Sequence, residues 1–303
     1  LSGLALAAVV LALCSCSTGD APPYKPSYGD SPPSGGSVYI FAPHPLLNPQ
    51  KTAVVFGAIV DRINADLTGR GIKLKLEASR NYASFNEKLR KRLIHFALPN
   101  PYQTLLSQEY GYRILAKDSD DSDFCGLILM RRDNPIDSVP GLKGETVSFP
   151  APTALAGTLM PELYLKENGL DPRREITQAF VGTHESALVN VGIGASAAAC
   201  TWPPAWESFQ REHPELARRI EIRWRTGTLP SNGFVVRDDV PEAVRREVMD
   251  EFFALNDSPE GRRLLRAAAV AALVPADEAA YAPVRAFIQR YEKAVRPLKG
   301  LNE

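Results

Sequence analysis

The sequence predicts an α/β protein of two lobes, each a mixed, mainly parallel sheet flanked by helices. Three observations predict it. Strand-like alternation and helix-like spacing follow one another in β-α-β-α order over residues 37–98, an order that sets helices on both faces of a mainly parallel sheet. The same order recurs over residues 146–200. The chain has 303 residues, 45% of them apolar, which suits about two domains of ordinary size.

Residues 1–13, LSGLALAAVVLAL, carry no charge. They are too short to span a bilayer, which takes about 20 residues, and they match the apolar core of a secretory signal. The run leads into Leu13-Cys14-Ser15-Cys16, which resembles the lipobox of bacterial lipoproteins. Leu13 is the aliphatic residue three before Cys16, and Ser15 is the small residue before it. Cys16 is therefore the expected lipidation site; Cys14 fits less well behind bulky Leu13. Residues 17–37 are rich in Pro, Gly and Ser without apolar periodicity, a composition that does not order itself. They read as a tether. Residues 1–16 as signal and 17–37 as tether place the folded body in the periplasm or at the cell surface, held to a membrane by the N-terminal lipid. Cys125 and Cys200 are then the thiols of the body, and free, bridged and ligand-binding states all remain open.

Within the body, SVYIF over 37–41 is a short β-rich run, broken by Ala42-Pro43-His44-Pro45. Asn48-Pro49 reads as a helix cap followed by a first-turn proline. Val55, Ile59, Ile63 and Leu67 then repeat at helical spacing. Ile72, Leu74 and Leu76 alternate with Lys73, Lys75 and Glu77, giving a strand with one wet face. Phe85, Leu89 and Leu93 predict the next helix. Residues 146–149 are a strand, and 153–168 a helix with Leu155, Leu159 and Leu163 inward, which Pro161 should kink. Strands at 176–181, 197–200 and 220–224 and a helix at 184–193 follow. Helices at 241–255, 259–270 and 277–295 close the chain.

Zero net charge, from 35 basic and 35 acidic residues, argues against nucleic acid as a partner, and four cysteines do not make a disulfide scaffold. The four histidines, His44, His95, His184 and His213, form no HExxH pair, and no Cys-x-x-Cys is present. No metal site and no cofactor is expected. Gly192-Ile193-Gly194 is only a fragment of a dinucleotide fingerprint, and Ser196 lacks the second glycine of a nucleophile elbow. The chain is not expected to be an enzyme.

Four loops instead open helices with small or hydroxylated residues: Arg80-Asn81-Tyr82, Pro99-Asn100-Pro101-Tyr102, Pro150-Ala151-Pro152-Thr153-Ala154 and Val181-Gly182-Thr183-His184-Glu185-Ser186. In open α/β sheets ligands sit beyond the carboxyl ends of strands. First-turn amides and the helix dipole bind anions there without a lysine. The hydroxyls of Tyr82, Tyr102, Thr153 and Ser186 and a ring nitrogen of His184 would add donors. Each has a plainer role as well: Thr153 and Thr183 as caps, Tyr82 and Tyr102 as packing aromatics.

In order, Tyr82-Ala83-Ser84-Phe85, Asn100-Pro101-Tyr102-Gln103, Gly111-Tyr112-Arg113, Gly126-Leu127-Ile128-Leu129, Arg131-Arg132-Asp133, Leu142-Lys143-Gly144, Phe149-Pro150-Ala151-Pro152-Thr153-Ala154, Val181-Gly182-Thr183-His184-Glu185-Ser186 and Val274-Pro275-Ala276-Asp277 resemble the phosphate/phosphite/phosphonate-binding proteins of ABC transporters. The resemblance runs over residues 39–284. It implies a type II periplasmic-binding fold with two hinge crossovers, near 126–130 and 225–234. Lobe 1 would be residues 38–128 and 232–295, lobe 2 residues 129–231. It implies ligand contacts at Tyr82, Tyr102, Thr153, Ala154, His184 and Ser186, with Thr183 beside them. A monomer would capture a small oxyanion (phosphate, phosphite or phosphonate) and pass it to an ABC permease. The sequence departs from the family at His95, where an acid is usual, at Thr183-His184-Glu185-Ser186 in place of Ser-His-Asp-Ser, and at Ser196-Ala197-Ala198-Ala199-Cys200 in place of Asp-Ala-Gly-Gly. The missing acid favours a simple oxyanion over an aminophosphonate. Cys200 opens an alternative, an oxyanion sensor of the arsenite type reporting to a sensor-kinase domain. Its plainer role is a buried small apolar residue, and Trp202 is either a cleft residue or a packing one.

Overall fold

The computed structural model describes residues 37–302. The signal and lipidation site at Cys16 lie outside the described residues, as does the tether except Ser37, which opens the first strand. Among the described residues no helix is long and apolar enough to cross a membrane.

The first lobe begins as the alternation predicts: β1 (Ser37–Pro43), α1 (Pro49–Leu67), β2 (Ile72–Leu76), α2 (Tyr82–Arg90), β3 (Phe96–Leu98), α3 (Pro101–Ser107) and β4 (Tyr112–Asp118). The helix starts were local decisions. Asn48 accepts from the Lys51 amide, Asn81 from that of Ser84, and Asn100 and Gln103 cap α3 reciprocally, each meeting an amide that a helix start leaves unpaired. Leu93 does not join the buried face of α2. The helix ends at Arg90 and Leu93 stands 52% exposed, while Tyr82, Phe85, Asn86 and Leu89 go inward.

The chain then builds a second sheet from β5 (Cys125–Arg131), β6 (Thr146–Phe149), β7 (Thr177–Phe180), β8 (Ala198–Thr201) and β9 (Ile220–Thr228). Its helices are α4 (Met160–Glu167), α5 (His184–Gly192), α6 (Pro203–Glu212) and α7 (Pro214–Ala217). After β9 it returns through β10 (Gly233–Arg237), α8 (Glu242–Ala254), α9 (Pro259–Ala267), β11 (Leu273–Pro275) and α10 (Ala282–Ala294).

The first sheet has the order β11-β4-β10-β3-β1-β2 and the second β7-β6-β8-β5-β9. Both are mixed. β1 runs parallel to β2 and β3, and β6 to β7 and β8, but β5, β10 and β11 pair antiparallel with their neighbours. Of these, β5 is the strand by which the chain enters the second sheet and β10 the one by which it returns to the first. Residues 126–130, read as a crossover, are the centre of β5, bonded on both sides within the second sheet. The passage from sheet to sheet therefore falls at 119–124, and the return at 229–232.

α1, α8 and α9 cover one face of the first sheet over Phe41, Phe56, Ile63, Phe234 and Phe252. α5 and α6 cover one face of the second over Leu127, Leu129, Leu188 and Phe209. A third apolar cluster joins the lobes through Leu46, Tyr102, Phe124, Leu155, Trp202 and Tyr281. α10 packs on α3 and on α4, and its Tyr291 hydroxyl donates to Glu162. The C-terminal return thus reaches both lobes.

The 153–168 helix takes a form its periodicity did not show. It opens as a π turn, Leu155–Leu159, before α4, and Pro161 lies in the first turn of α4. A proline within a helix removes a donor and crowds the carbonyl four residues back. The wider turn replaces the kink, and such turns concentrate at functional sites.

Candidate anion-binding site

Where the two lobes meet, the carboxyl ends of β1 and β3 face those of β6 and β8. A cavity of about 10 Å³ lies there, lined by His44, Tyr82, Asn100 and Asn232 from the first lobe and its return, and by Ala154, Leu155, Ala156, Gly157, His184 and Trp202 from the second, with Phe124 at the passage between them. That is roughly the room one water centre needs. No lysine, arginine or carboxylate lines it.

The donors come from helix starts. Among the described residues, the amides of Leu155, Ala156 and Gly157 have no acceptor, because nothing precedes them in the π turn. They are the unpaired first-turn donors that bind anions. Tyr82 and His184 open α2 and α5 and meet across the cavity, Tyr82 Oη lying 3.3 Å from His184 Nε2. The other ring nitrogen, His184 Nδ1, lies 3.0 Å from Thr201 Oγ1. Among the described residues the indole N–H of Trp202 has no partner, and Trp202 is 4% exposed; Asn232 Oδ1 also lacks one, at 1% exposure.

A polar chain closes the lobes behind the cavity. Gln103 Nε2 donates to Asn86 Oδ1 at 2.6 Å, Asn86 Nδ2 to Thr153 Oγ1 at 3.3 Å, and Asn100 Nδ2 to the Thr153 carbonyl at 3.0 Å. All four residues are buried, so each bond replaces water that would otherwise be required.

Both histidines are neutral at pH 7. Burial pulls His44 down to about 4. Burial, and then the neighbouring His44, pulls His184 down to about 3. His44 Nδ1 lies 2.9 Å from the Leu98 carbonyl. A carbonyl only accepts, so Nδ1 carries the proton and Nε2 is a bare acceptor.

Of the residues singled out in the sequence, Tyr82, Ala154 and His184 line the cavity. Thr153 stands directly behind it, engaged by Asn86 and Asn100. Tyr102, 2% exposed, packs beside Leu155 and Trp202 in the cluster between the lobes. Thr183 and Ser186 bond each other: the Ser186 amide donates to Thr183 Oγ1 at 3.0 Å and the two hydroxyls lie 2.8 Å apart. They set the start of α5 and so aim His184. Sequence reasoning missed His44, Asn232 and the free amides of 155–157. His44 sits just past the end of β1, where the carboxyl-end rule alone would have placed it.

Cys125 and Cys200 are free and buried. Cys200 packs with Ile128, Met130, Val147 and Phe149, on the face of β8 opposite Thr201, and it does not line the cavity. It takes the plainer role, and nothing at the cavity favours an arsenite-type sensor. His95 is structural as well, its Nδ1 accepting from the Ile40 amide at 2.9 Å.

The family described as "ABC transporter, phosphonate, periplasmic substrate-binding protein" matches residues 41–281. The chain belongs to this family. Within it, the chain is similar to the probable ABC transporter phosphite binding protein PhnD1 of Prochlorococcus marinus (strain MIT 9301), 22% identical over 135 residues, 42% of this chain and 46% of that protein. The structure of PhnD1 in complex with methylphosphonate overlays with a TM-score of 0.76 at 17% identity, covering 84% of this chain and 98% of that one. A binding protein component of an ABC phosphonate transporter from Pseudomonas aeruginosa overlays at 0.77 with 18% identity, covering 84% and 87%. At such identities the overlays establish the fold, the type II periplasmic-binding architecture. The chain spans about half the length of the curated relatives it matches.

Proposed function

We propose that this chain is an extracytoplasmic receptor that binds a phosphonate head group between its lobes and delivers the ligand to an ABC permease. One observation carries the reading: a cavity between the lobes, free of charged side chains, that concentrates hydrogen-bond donors, the backbone amides and the Trp202 indole among them unpaired. The amides of Leu155, Ala156 and Gly157, the Tyr82 hydroxyl, the His184 ring and the Trp202 indole supply them. A micromolar affinity needs about −8.2 kcal/mol. A hydrogen bond to a charged acceptor contributes about 1.5–3 kcal/mol, so such a set exceeds the need, and the excess offsets the freedom lost on binding.

The ligand contacts proposed are Tyr82, Ala154 and His184 directly, with Thr153, Tyr102, Thr183 and Ser186 holding the walls. The cavity is tight for a phosphonate, so the lobes part to admit it, breaking the Tyr82–His184 and Asn100–Thr153 bonds. They close again because the anion is held better shut than open. The hinges proposed are residues 119–124 and 229–232. The bare Nε2 of His44 favours an oxyanion that keeps a proton, which a phosphonate monoanion has and a sulfonate lacks. Phosphate and phosphite share that chemistry, and the PhnD1 complex with methylphosphonate supports naming phosphonate first. The family supports a periplasmic setting, with Cys16 lipidation as the proposed anchor and a monomer as the working form.

Calorimetry with methylphosphonate and methanesulfonate tests the reading. The phosphonate should saturate a single site without turnover and the sulfonate should bind far more weakly. Thr153→Ala and His184→Ala should each weaken phosphonate binding by about 1–3 kcal/mol with the fold intact. Wild-type affinity in both variants would remove the cavity from consideration.

A further inference from the structure

A second concavity adjoins the cavity. It is a groove of about 480 Å³ between α6 of the second lobe and α9 with its following loop in the first, within the roughly 300–1,000 Å³ of small-molecule sites. Trp202 lines both the groove and the cavity. Along the seam, groove residues are chain neighbours of cavity residues: Asp123 precedes Phe124 and Ser231 precedes Asn232. Neighbouring Cα atoms are about 3.8 Å apart, so a short run of atoms leaving the cavity enters the groove. From α6 the groove receives Pro204, Glu207, Ser208 and Arg211, at the three- and four-residue spacing of one helix face. Arg263 and Arg266 line it from α9 at the same spacing.

The groove is polar and close to neutral. Its walls carry the carboxylates of Asp118, Asp120, Asp123 and Glu207 and the guanidinium groups of Arg211, Arg263 and Arg266. Among the described residues none of these groups has an opposite charge within 4.0 Å. Asp118 is engaged by the amides of Asp120 and Ala271, and Asp120 by Ser122. Such walls discriminate among three kinds of substituent. One that bears a full charge of either sign meets groups of its own sign as well as the opposite, and like-charge contact offsets the gain. A bare alkyl chain strips water from carboxylates and guanidinium groups and puts no hydrogen bond in its place, a cost at each group. A hydroxyl both donates and accepts. A hydroxylated chain therefore replaces the water lost from carboxylates and guanidinium groups alike.

We propose that the groove takes the substituent of an organophosphonate whose head lies in the cavity, and that this substituent is uncharged and carries neighbouring hydroxyl groups, as a glycerol or sugar moiety does. The assignment rests on the phosphonate reading of the cavity. Asp123 and Glu207 accept from the hydroxyls, and Arg211, Arg263 and Arg266 donate to them. Glu207 and Arg211 belong to the second lobe, Arg263 and Arg266 to the first. Both walls meet the substituent only when the lobes are shut, so it strengthens closure as well as contact.

Calorimetry with the whole chain tests this, using methylphosphonate, propylphosphonate, 2,3-dihydroxypropylphosphonate and phosphonopropionate. The last three share a three-carbon chain and differ in carrying nothing, two hydroxyls or a carboxylate. The diol should bind wild type about tenfold more tightly than propylphosphonate, the scale of one hydrogen bond to a charged group, and more tightly than phosphonopropionate. In the Glu207→Ala/Arg211→Ala double variant the gap between diol and propylphosphonate should shrink to about threefold or less. Both side chains are exposed and the double change leaves the net charge as it was. Propylphosphonate is the reference within each protein, so an effect on the head group or on the fold cancels from the ratio. Equal binding of diol and propylphosphonate to wild type, an undiminished gap in the variant, or tighter binding of phosphonopropionate than of the diol overturns the groove assignment and leaves the cavity reading standing. Absence of methylphosphonate binding to wild type removes the cavity reading and the groove assignment with it.

Discussion

Replacing Gly157 by alanine adds one methyl group at the wall of the cavity. In most helices that change is favourable by up to about 1 kcal/mol. Here the added Cβ would stand 2.6 Å from His184 Cε1 and 2.6 Å from Pro150 Cγ. The Pro150 ring is fixed to its backbone, so the imidazole has to move. Going from 2.6 Å to the 3.4 Å at which ordinary contact begins is a displacement of about 0.8 Å. His184 is held by Thr201 at 3.0 Å and Tyr82 at 3.3 Å, and such a shift leaves at least one of these beyond hydrogen-bonding range. Overpacking of this kind costs about 1–3 kcal/mol of stability, or very roughly 2–12 °C in melting temperature for a body of this size. Misplacing one donor to a charged ligand costs about 1.5–3 kcal/mol of binding, a loss of roughly ten- to 150-fold in affinity. Calorimetry with methylphosphonate measures the second quantity and thermal unfolding the first. Gly57→Ala is the control: it lies within α1 with nothing within 4 Å of its added Cβ, so it should stabilise the fold slightly and leave binding alone. A Gly157→Ala protein that binds methylphosphonate as tightly as wild type would refute the placement of His184 in the site.

Further outcomes follow from the charges and thiols. The unfolded chain protonates His44 near its ordinary 6.5, whereas the folded ring resists until about 4, so acid favours unfolding progressively through that window. Asp118 and Glu162, raised by burial, act with the opposite sign. The comparison that isolates His44 is therefore the pH slope of stability in His44→Gln, which should be shallower than in wild type between pH 6.5 and 4; identical slopes would show that His44 is not buried neutral. Lys51 of α1 meets Glu185 of α5 at 3.2 Å and also Glu212 of α6, tying the lobes at the cavity's rim. These groups are about a third exposed, so Lys51→Met should weaken ligand binding by only about 0.2–1 kcal/mol and reduce its salt dependence; an unchanged salt response would show that the pair is not closed in solution. Cys125 and Cys200 are buried thiols whose ionisation burial opposes. A maleimide should label neither in the native body and both after denaturation, and rapid native labelling of Cys200 would return it to the list of ligand-facing groups.

Helix starts were legible because they are short-range chemistry. Asn48 with Pro49, Asn81, Asn100 with Pro101, and Thr183 each carry the atom that satisfies an amide two or three residues on. β6, predicted at 146–149, appears at those residues. The same local logic placed Tyr82, Ala154 and His184 at helix openings, and the three line one cavity. It did not show the π turn at 155–159, because helical spacing of Leu155, Leu159 and Leu163 is compatible with either turn. It also put the first crossover inside β5, because a continuous apolar run reads alike whether it bridges two sheets or lies buried in one.

The sequence by itself determined the α/β alternation and the caps that aim backbone amides. Tertiary structure decided which of those ends meet. His44, Trp202 and Asn232 come from segments more than 150 residues apart at the extremes, and no local pattern shows that they meet. They join because two separate sheets present their carboxyl ends to the same gap, and an unpaired buried donor or acceptor is defined only once both walls are in place.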